Sequence, residues 1–486
     1  MKKYILEIAV FISGAVVMVF ELAGSRLLSP YLGSSIFVWA SLIGVILGSL
    51  SLGYYLGGRM ADRRSSFKVF SLIILFSSLA IFFTLLTKDF LLNLSTIFDL
   101  DMRLKAVLIS LILFAPASIF LGMASPYAVK LKLNSLVTSG RIVGNLYAIS
   151  TLGSIFGTFM AGFFLIPFFG VTNIIIILAM TLILLSILLS FSNRGIKIFS
   201  MFIGLFFLSI LFIPDPSLAE AGMIDRDTQY NHVRIVDYEN VRYLKIEGGI
   251  HSAMFLDSNE LHSEYTKYYD LALHFNSNFR KALIIGGAGY SYPKYYLENF
   301  PDRTIDVVEI DPGITKLARE YFNLKDNPNM RIFHEDGRIF LNESEEKYDA
   351  IFGDAFSSYY SLPAHLTTLE AVQHEYDMLN DGGVILVNII SAIEGEKGEF
   401  LRAEYATYKE VFSQVYLFLV NFPEEGDRTQ NIILAGIKNN TQATFTNSNQ
   451  VLQEYLDHLW TDDIPQDRPI LTDDYAPVDY YINKIL

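Results

Sequence analysis

The residues with the clearest chemical use are acids at the ends of apolar runs. Ala282-Leu283-Ile284-Ile285 runs into Gly286-Gly287-Ala288-Gly289, and a second run, Asp306-Val307-Val308, ends in Glu309. Glycines let a backbone approach a ligand where any Cβ would clash. An acid at the tip of the neighbouring strand can accept both hydroxyls of a ribose. Tyr348-Asp349-Ala350-Ile351-Phe352-Gly353 ends on Asp354, and Met330-Arg331-Ile332-Phe333-His334 leads to Glu335-Asp336-Gly337. In an open α/β sheet, ligands lie beyond the carboxyl ends of the strands. Gly287, Glu309, Asp336 and Asp354 would share that edge. The pattern predicts a nucleoside-bearing ligand in a doubly wound sheet.

The elements that must position these groups follow from periodicity. Strands are expected at 282–286, 305–310, 330–334, 348–354 and 383–388, with helices at 291–300 and 313–322. Pro312 suits the start of the second helix, where its missing N–H costs nothing. Ahead of them, the alternating runs His232–Val236 and Arg242–Ile246 read as an antiparallel hairpin, with a turn at Gly248-Gly249. Leu261–Phe275 reads as a helix carrying Tyr265, Tyr268, Tyr269 and His274.

The first half differs in kind. The chain has 486 residues, is 52% hydrophobic and has positive mean hydropathy. Apolar runs of spanning length fall at 4–23, 36–57, 67–87, 104–124, 142–168, 171–191 and 196–213, ending at Pro214-Asp215-Pro216. The expected layout is a helical membrane domain at 1–215 with about seven spans, a β-hairpin subdomain at 216–260 and the doubly wound domain at 261–486. Gly44, Gly48, Gly53, Gly57, Gly144, Gly153, Gly157 and Gly162 suggest close helix packing. Glu7, Glu21 and Arg26 are costly at membrane depth and call for partners. Lys2, Lys3, Arg59, Arg63, Arg64, Lys68, Lys130, Lys132, Arg141, Arg194 and Lys197 would lie on one side, against Arg26, Lys88, Arg103 and Lys105 on the other. The richer side should be cytoplasmic. Seven spans would then put the second half outside, which conflicts with a cytoplasmic ligand; the chemistry favours the cytoplasm.

Other classes are excluded by composition. Cysteine is absent, so there are no disulfides or thiolate metal sites. His232, His251, His262 and His274 have no metal-binding spacing, and no metal is expected. The net charge is −14, most of it after residue 215, which argues against nucleic acid.

From about Asp227 to Ser391 these residues resemble the spermidine synthase family of aminopropyltransferases, and the layout resembles its membrane-fused, multi-pass members. Phe20–Arg26, Leu362–Thr368 and Leu471–Val478 add to the resemblance. It implies a Rossmann-like sheet of the S-adenosylmethionine-dependent transferase type behind a small β-domain. It implies decarboxylated S-adenosylmethionine or S-adenosylmethionine as co-substrate, and no metal. Residue by residue, Gly286, Gly287, Gly289, Glu309, Asp336, Gly337 and Asn231 fall on its donor side. Asp354 matches the proton-accepting acid. Tyr265, His251 and Tyr230 fall on the substrate side; for His365 and Tyr359 packing is the expectation, with entry into an acceptor pocket as the alternative. Departures are as plain. Gly289 stands where the family's loop usually has Asp, Ser357 replaces the second acid of the catalytic loop, and Asn231 and His251 replace glutamines. The implied partners are a putrescine-like amine or a membrane-derived acceptor, membrane lipid, and a second copy in a homodimer. The glycine-rich helix loop Gly57–Arg64 resembles one in major facilitator transporters. Three readings stay open: aminopropyl transfer, methyl or other transfer to a membrane-derived acceptor, and a non-enzymatic transporter or sensor.

Overall fold

The computed structural model describes residues 4–485 except 34, 96–100, 134, 136–137, 191–193, 211–222, 247–248, 356–361 and 440. Gly248, Pro214–Pro216, Ser357 and Tyr359 lie outside the described residues. Contacts divide the chain into Met1–Ala221 and Gly222–Leu486.

The first unit is helical: α1 (Ile5–Leu32), α2 (Ile36–Arg63), α3 (Phe67–Ser95), α4 (Met102–Lys132), α5 (Ser139–Met160), α6 (Val171–Leu189) and α7 (Arg194–Ile210). α5 continues through a π turn at Ala161–Leu165 to Phe168. Six helices among the described residues, not seven, are long and apolar enough to cross a membrane. The last apolar run gives α7, whose 17 residues reach about 25 Å, short of the ~30 Å hydrocarbon core. Phe207 of α7 stacks on Phe82 of α3, while Phe199, Phe202 and Leu205 stay exposed.

Glycines make the tightest helix contacts. A Cβ on Gly153 or Gly157 of α5 would lie 2.1 or 2.4 Å from the carbonyl oxygen of Phe11 or Ala15 on α1. Gly53 and Gly57 of α2 face Gly122 and Met123 of α4 in the same way. Gly44, Gly48, Gly144 and Gly162 have no such neighbour within 4 Å, so the close-packing expectation holds for half of the glycines named. Glu7 finds its partner in Lys132.

The second unit begins with an antiparallel sheet in the order β1 (Ile224–Asp227), β2 (His232–Tyr238), β3 (Val241–Ile246), β4 (Gly249–Phe255). The expected helix from Leu261 starts only at Glu264. Leu261 instead bridges to Met254, and the helical stretch is α8 (Glu264–Lys267), a 3₁₀ turn at Tyr268–Asp270 and α9 (Leu271–Phe275). Then come β5 (Lys281–Ile285), α10 (Ser291–Asn299), β6 (Thr304–Val308), α11 (Pro312–Tyr321), β7 (Met330–Phe333), α12 (Gly337–Glu343), β8 (Tyr348–Gly353), α13 (Leu369–Met378), β9 (Leu379–Ser391), α14 (Glu399–Val411), β10 (Gln414–Leu419) and β11 (Gln430–Ile437).

These strands form one sheet in the order β10-β11-β9-β8-β5-β6-β7. β5 to β9 run parallel, and β11 returns antiparallel between β9 and β10. Ile284, Val307, Phe352 and Leu386 fill one face of the sheet and Leu283, Val308, Ile351 and Ile385 the other. Burial on both faces is what a crossover-linked parallel sheet requires. The strand order reverses between β5 and β8, so their carboxyl ends flank the crevice where ligands of such sheets bind.

Candidate functional site

The tip of β5 becomes a strained loop. Gly286 has φ of 105°, and a Cβ there would stand 2.7 Å from the Asp354 carbonyl oxygen. Ala288 and Tyr290 also take positive φ, 42° and 55°. Each non-glycine residue in that region costs about 1–3 kcal/mol unless its surroundings hold it. Tyr290 is held: its N–H donates to the Gly287 carbonyl at 2.7 Å and its buried hydroxyl meets Thr315 at 2.7 Å. Its ring lies under Gly287, where a Cβ would come within 2.9 Å. The fourth loop residue, Gly289, faces Ser252 of β4 and Phe322, with no space for a side chain.

Glu309 closes this loop from the tip of β6. One carboxylate oxygen accepts the N–H groups of Gly287 (2.9 Å) and Ala288 (3.0 Å), the other that of Asp311 (3.0 Å). Burial raises its pKa, and these three backbone donors pull it partly back. A carboxylate has about four lone-pair sites, so one remains for a ligand hydroxyl. Asp336 is the N-cap of α12, accepting from the N–H of Arg338 at 2.9 Å and Ile339 at 3.3 Å. His365 stands 3.3 Å from its other oxygen. Gly337 lets α12 sit against Ile285, 2.9 Å from where a Cβ would be.

Asp354 ends β8 across the crevice. Its Oδ2 receives the Tyr265 hydroxyl at 3.4 Å, and its Oδ1 is sealed from solvent with no partner among the described residues. Desolvation by burial pushes its pKa from 3.8 to about 7, against a smaller opposite pull from the Tyr265 and Tyr269 hydroxyls. Asp354, Tyr265, His251, Gly287 and Ala288 line one cavity of ≈ 10 Å³, room for about one water. Burial drops the His251 imidazole to about 4, so it lines the cavity as a neutral ring.

The structure therefore brings together Gly286, Gly287, Glu309, Asp354, Tyr265 and His251. It places two others elsewhere. Asn231 gives its amide N–H to Asp311 at 3.0 Å. Tyr230 is 37% exposed on the β1–β2 turn and does not line the Asp354 cavity. One residue of the edge escaped the sequence reading. Gly353 pairs with Val387, so Asn388 is the next residue of β9 in register with Asp354. It is fully buried, and neither amide atom has a partner among the described residues. The signal was present: a polar residue inside Val384-Ile385-Leu386-Val387-Asn388-Ile389, where parallel strands are normally apolar throughout.

Residues 264–446 match the model of the spermine/spermidine synthase domain. The chain is 27% identical to the polyamine aminopropyltransferase of Vibrio vulnificus, over 46% of this chain and 76% of that one. It is 23% identical to polyamine aminopropyltransferase 2 of Aquifex aeolicus over 87% of this chain and 86% of that one, a likeness that extends into the apolar half. A crystal structure of a probable spermidine synthase from Corynebacterium glutamicum superposes with a TM-score of 0.41 and 23% identity, covering 49% of this chain and 85% of that chain. By this match and these relatives, residues 264–446 carry a spermine/spermidine synthase domain, and the chain is similar to polyamine aminopropyltransferases.

Proposed function

We propose that the chain is a membrane-bound polyamine aminopropyltransferase, moving an aminopropyl group from decarboxylated S-adenosylmethionine to an amine. Glu309 and the Gly286–Gly287 loop bind the donor ribose, Asp336 and Gly337 lie toward the adenine, and Asp354 accepts the proton of the attacking amine. The observation that carries this reading is the Asp354 carboxylate itself. Its pKa of about 7 suits a base at neutral pH, strong enough to take a proton and ionised often enough to do so. The amine nitrogen forms the new C–N bond as the C–S bond breaks, methylthioadenosine leaves neutral, and Asp354 carries the released proton to solvent. Asn388 and Tyr265 orient the acceptor beside it, and alignment of nitrogen and carbon supplies much of the remaining acceleration.

Gly289 favours a second reading. It stands where the family's loop usually carries Asp, and Ser252 fills the space a side chain would need. A donor whose amine is accompanied by its own carboxylate has less need of that acid, which suits S-adenosylmethionine and a membrane-derived acceptor. The test incubates purified protein with each donor and candidate amines. Methylthioadenosine as product supports aminopropyl transfer, S-adenosylhomocysteine supports the second reading, and neither product rejects both.

An arrangement in which those six helices cross and the last apolar run does not would resolve the conflict over sides, since the basic loops and the chain that follows would then share the cytoplasmic side. Protease access to the 214–227 stretch in inside-out against right-side-out vesicles decides between the two arrangements.

A further inference from the structure

We infer that the turn between β1 and β2 is a latch that sets the donor-binding acid: Thr228 and Asn231 act through Asp311 as positioning residues for Glu309. The inference rests on Glu309 being the ribose ligand, as proposed above.

Asp311 is completely buried, yet no Lys or Arg pairs with it among the described residues. Its carboxylate is satisfied by neutral donors alone. Oδ1 caps α11, accepting the Gly313 N–H at 2.9 Å. Oδ2 accepts the Asn231 amide at 3.0 Å and the Thr228 hydroxyl, both from about eighty residues away in sequence. Thr228 Oγ1 also lies 2.9 Å from the Asn231 carbonyl, but a hydroxyl has one proton and the carboxylate is the better acceptor.

The turn is stiff enough to impose a position. Thr228 N–H donates to the Asn231 carbonyl at 2.8 Å, and Asn231 N–H returns to Thr228 Oγ1 at 2.9 Å. Gly313 admits the turn, since a Cβ there would stand 2.7 Å from Thr228. His232 pins both flanks through Asp225 and Asp227.

The consequence reaches the ligand edge in one step. The Asp311 N–H is the only donor to Glu309 Oε1 among the described residues. Removing the turn's donors leaves a buried carboxylate with one partner of three. Such a group moves toward water or toward protonation. Either way its backbone N–H shifts, and Glu309 loses the contact that fixes its rotation against Gly287 and Ala288. The relation is one of positioning: neither Thr228 nor Asn231 touches the reacting atoms.

The test is calorimetric titration of methylthioadenosine into full-length protein carrying Thr228→Val or Thr228→Ser, with kinetics on the same preparations. Valine keeps the shape and removes the hydroxyl; serine restores it. The expected result is about tenfold weaker binding and a similarly raised donor KM for valine, kcat within about twofold, and recovery with serine. Asn231→Ala, which removes the other donor, repeats the test if the valine variant fails to fold. A folded variant that binds like wild type overturns the latch, as does a serine variant as weak as valine. Wild-type protein that binds no methylthioadenosine brings down the donor assignment first, and the latch with it.

Discussion

Replacing Asp354 by Asn should cut turnover steeply and stabilise the fold, two changes of opposite sign from one atom. Its carboxyl is raised from 3.8 to about 7, chiefly by burial. The sign follows from proton binding: between these values the folded state holds a proton that the unfolded state has released. Stability is therefore full below about 4 and falls as pH rises to about 7. Above that, the ionised form costs the fold at most about 4 kcal/mol. Asparagine carries no charge but still needs hydrogen bonds, which returns about 1–3 kcal/mol. A net gain of about 1–3 kcal/mol at pH 8 should appear as a rise in Tm of about 2–4 °C per kcal/mol. Activity should fall about 10²–10⁴-fold, the usual contribution of a positioned base. Wild-type kcat/KM should rise with pH through about 7, and methylthioadenosine affinity should be unchanged in the variant. The assays are scanning calorimetry at pH 5 and pH 8 and a pH–rate profile on the same preparation. Undiminished turnover in Asp354→Asn would refute the base, and a lower Tm at pH 8 would refute the buried-charge reasoning.

Further changes probe other parts of the molecule. Asn388→Ala should raise the acceptor KM about tenfold, equivalent to about 1.4 kcal/mol, with donor binding intact; steady-state kinetics with both substrates varied distinguish the two. Glu375 and Glu404 are buried together, and Tyr408 donates to Glu375 at 2.7 Å while neither Glu404 oxygen has a partner among the described residues. Burial raises both, Glu375 to about 8, so stability should decline as pH climbs from about 4.5 to 8. Glu404→Gln should flatten that decline, read from melts across the range. Gly153→Leu should separate α1 from α5, because the first added carbon already meets the Phe11 carbonyl; loss of the monodisperse detergent-solubilised species measures it.

The part of the site that was legible came from local pattern. Strands β5, β6 and β8 announce themselves by largely apolar runs, and their tips, Gly286, Glu309 and Asp354, needed only the rule that ligands sit beyond carboxyl ends. What was hidden depended on distant partners. Asn231 matches a donor-side position in sequence, but its amide N–H is donated to Asp311, eighty residues on. Leu261 fits a helical stripe, but its bridge to Met254 keeps it extended and delays the helix to Glu264. β10 and β11 carry apolar runs as clear as the others, yet nothing local says that β11 turns back between β9 and β10. Of the last apolar run, 196–213, the described part is the 17-residue α7, and six other helices among the described residues are long and apolar enough to cross a membrane. Of the second catalytic-loop position, Ser357, sequence remains the only witness.

Two groups among the acids of the second unit differ in their partners, and the difference bears on what they are for. Those that hold the scaffold have cations: Asp306 with Arg331, Asp467 with Arg402, Asp473 with Arg338, and Glu399 with Arg468 and Lys484. Glu309, Asp311 and Asp354 do not, while Asp336 faces the His365 ring at 3.3 Å. Among the described residues Glu309 is met only by backbone N–H groups, Asp311 by an N–H, a hydroxyl and an amide, and Asp354 by a tyrosine hydroxyl. A buried carboxylate without a counter-ion is expensive, and a paired one would have been easier to keep. Neutral donors hold such a group in place without cancelling its charge. The crevice therefore keeps its negative potential for a ligand that brings its own positive charge, as a sulfonium and an ammonium both do. A lysine introduced at Ser252, beside the loop, should weaken a sulfonium donor much more than its neutral thioether product. Equal losses for the two would mean that the unpaired acids serve packing alone.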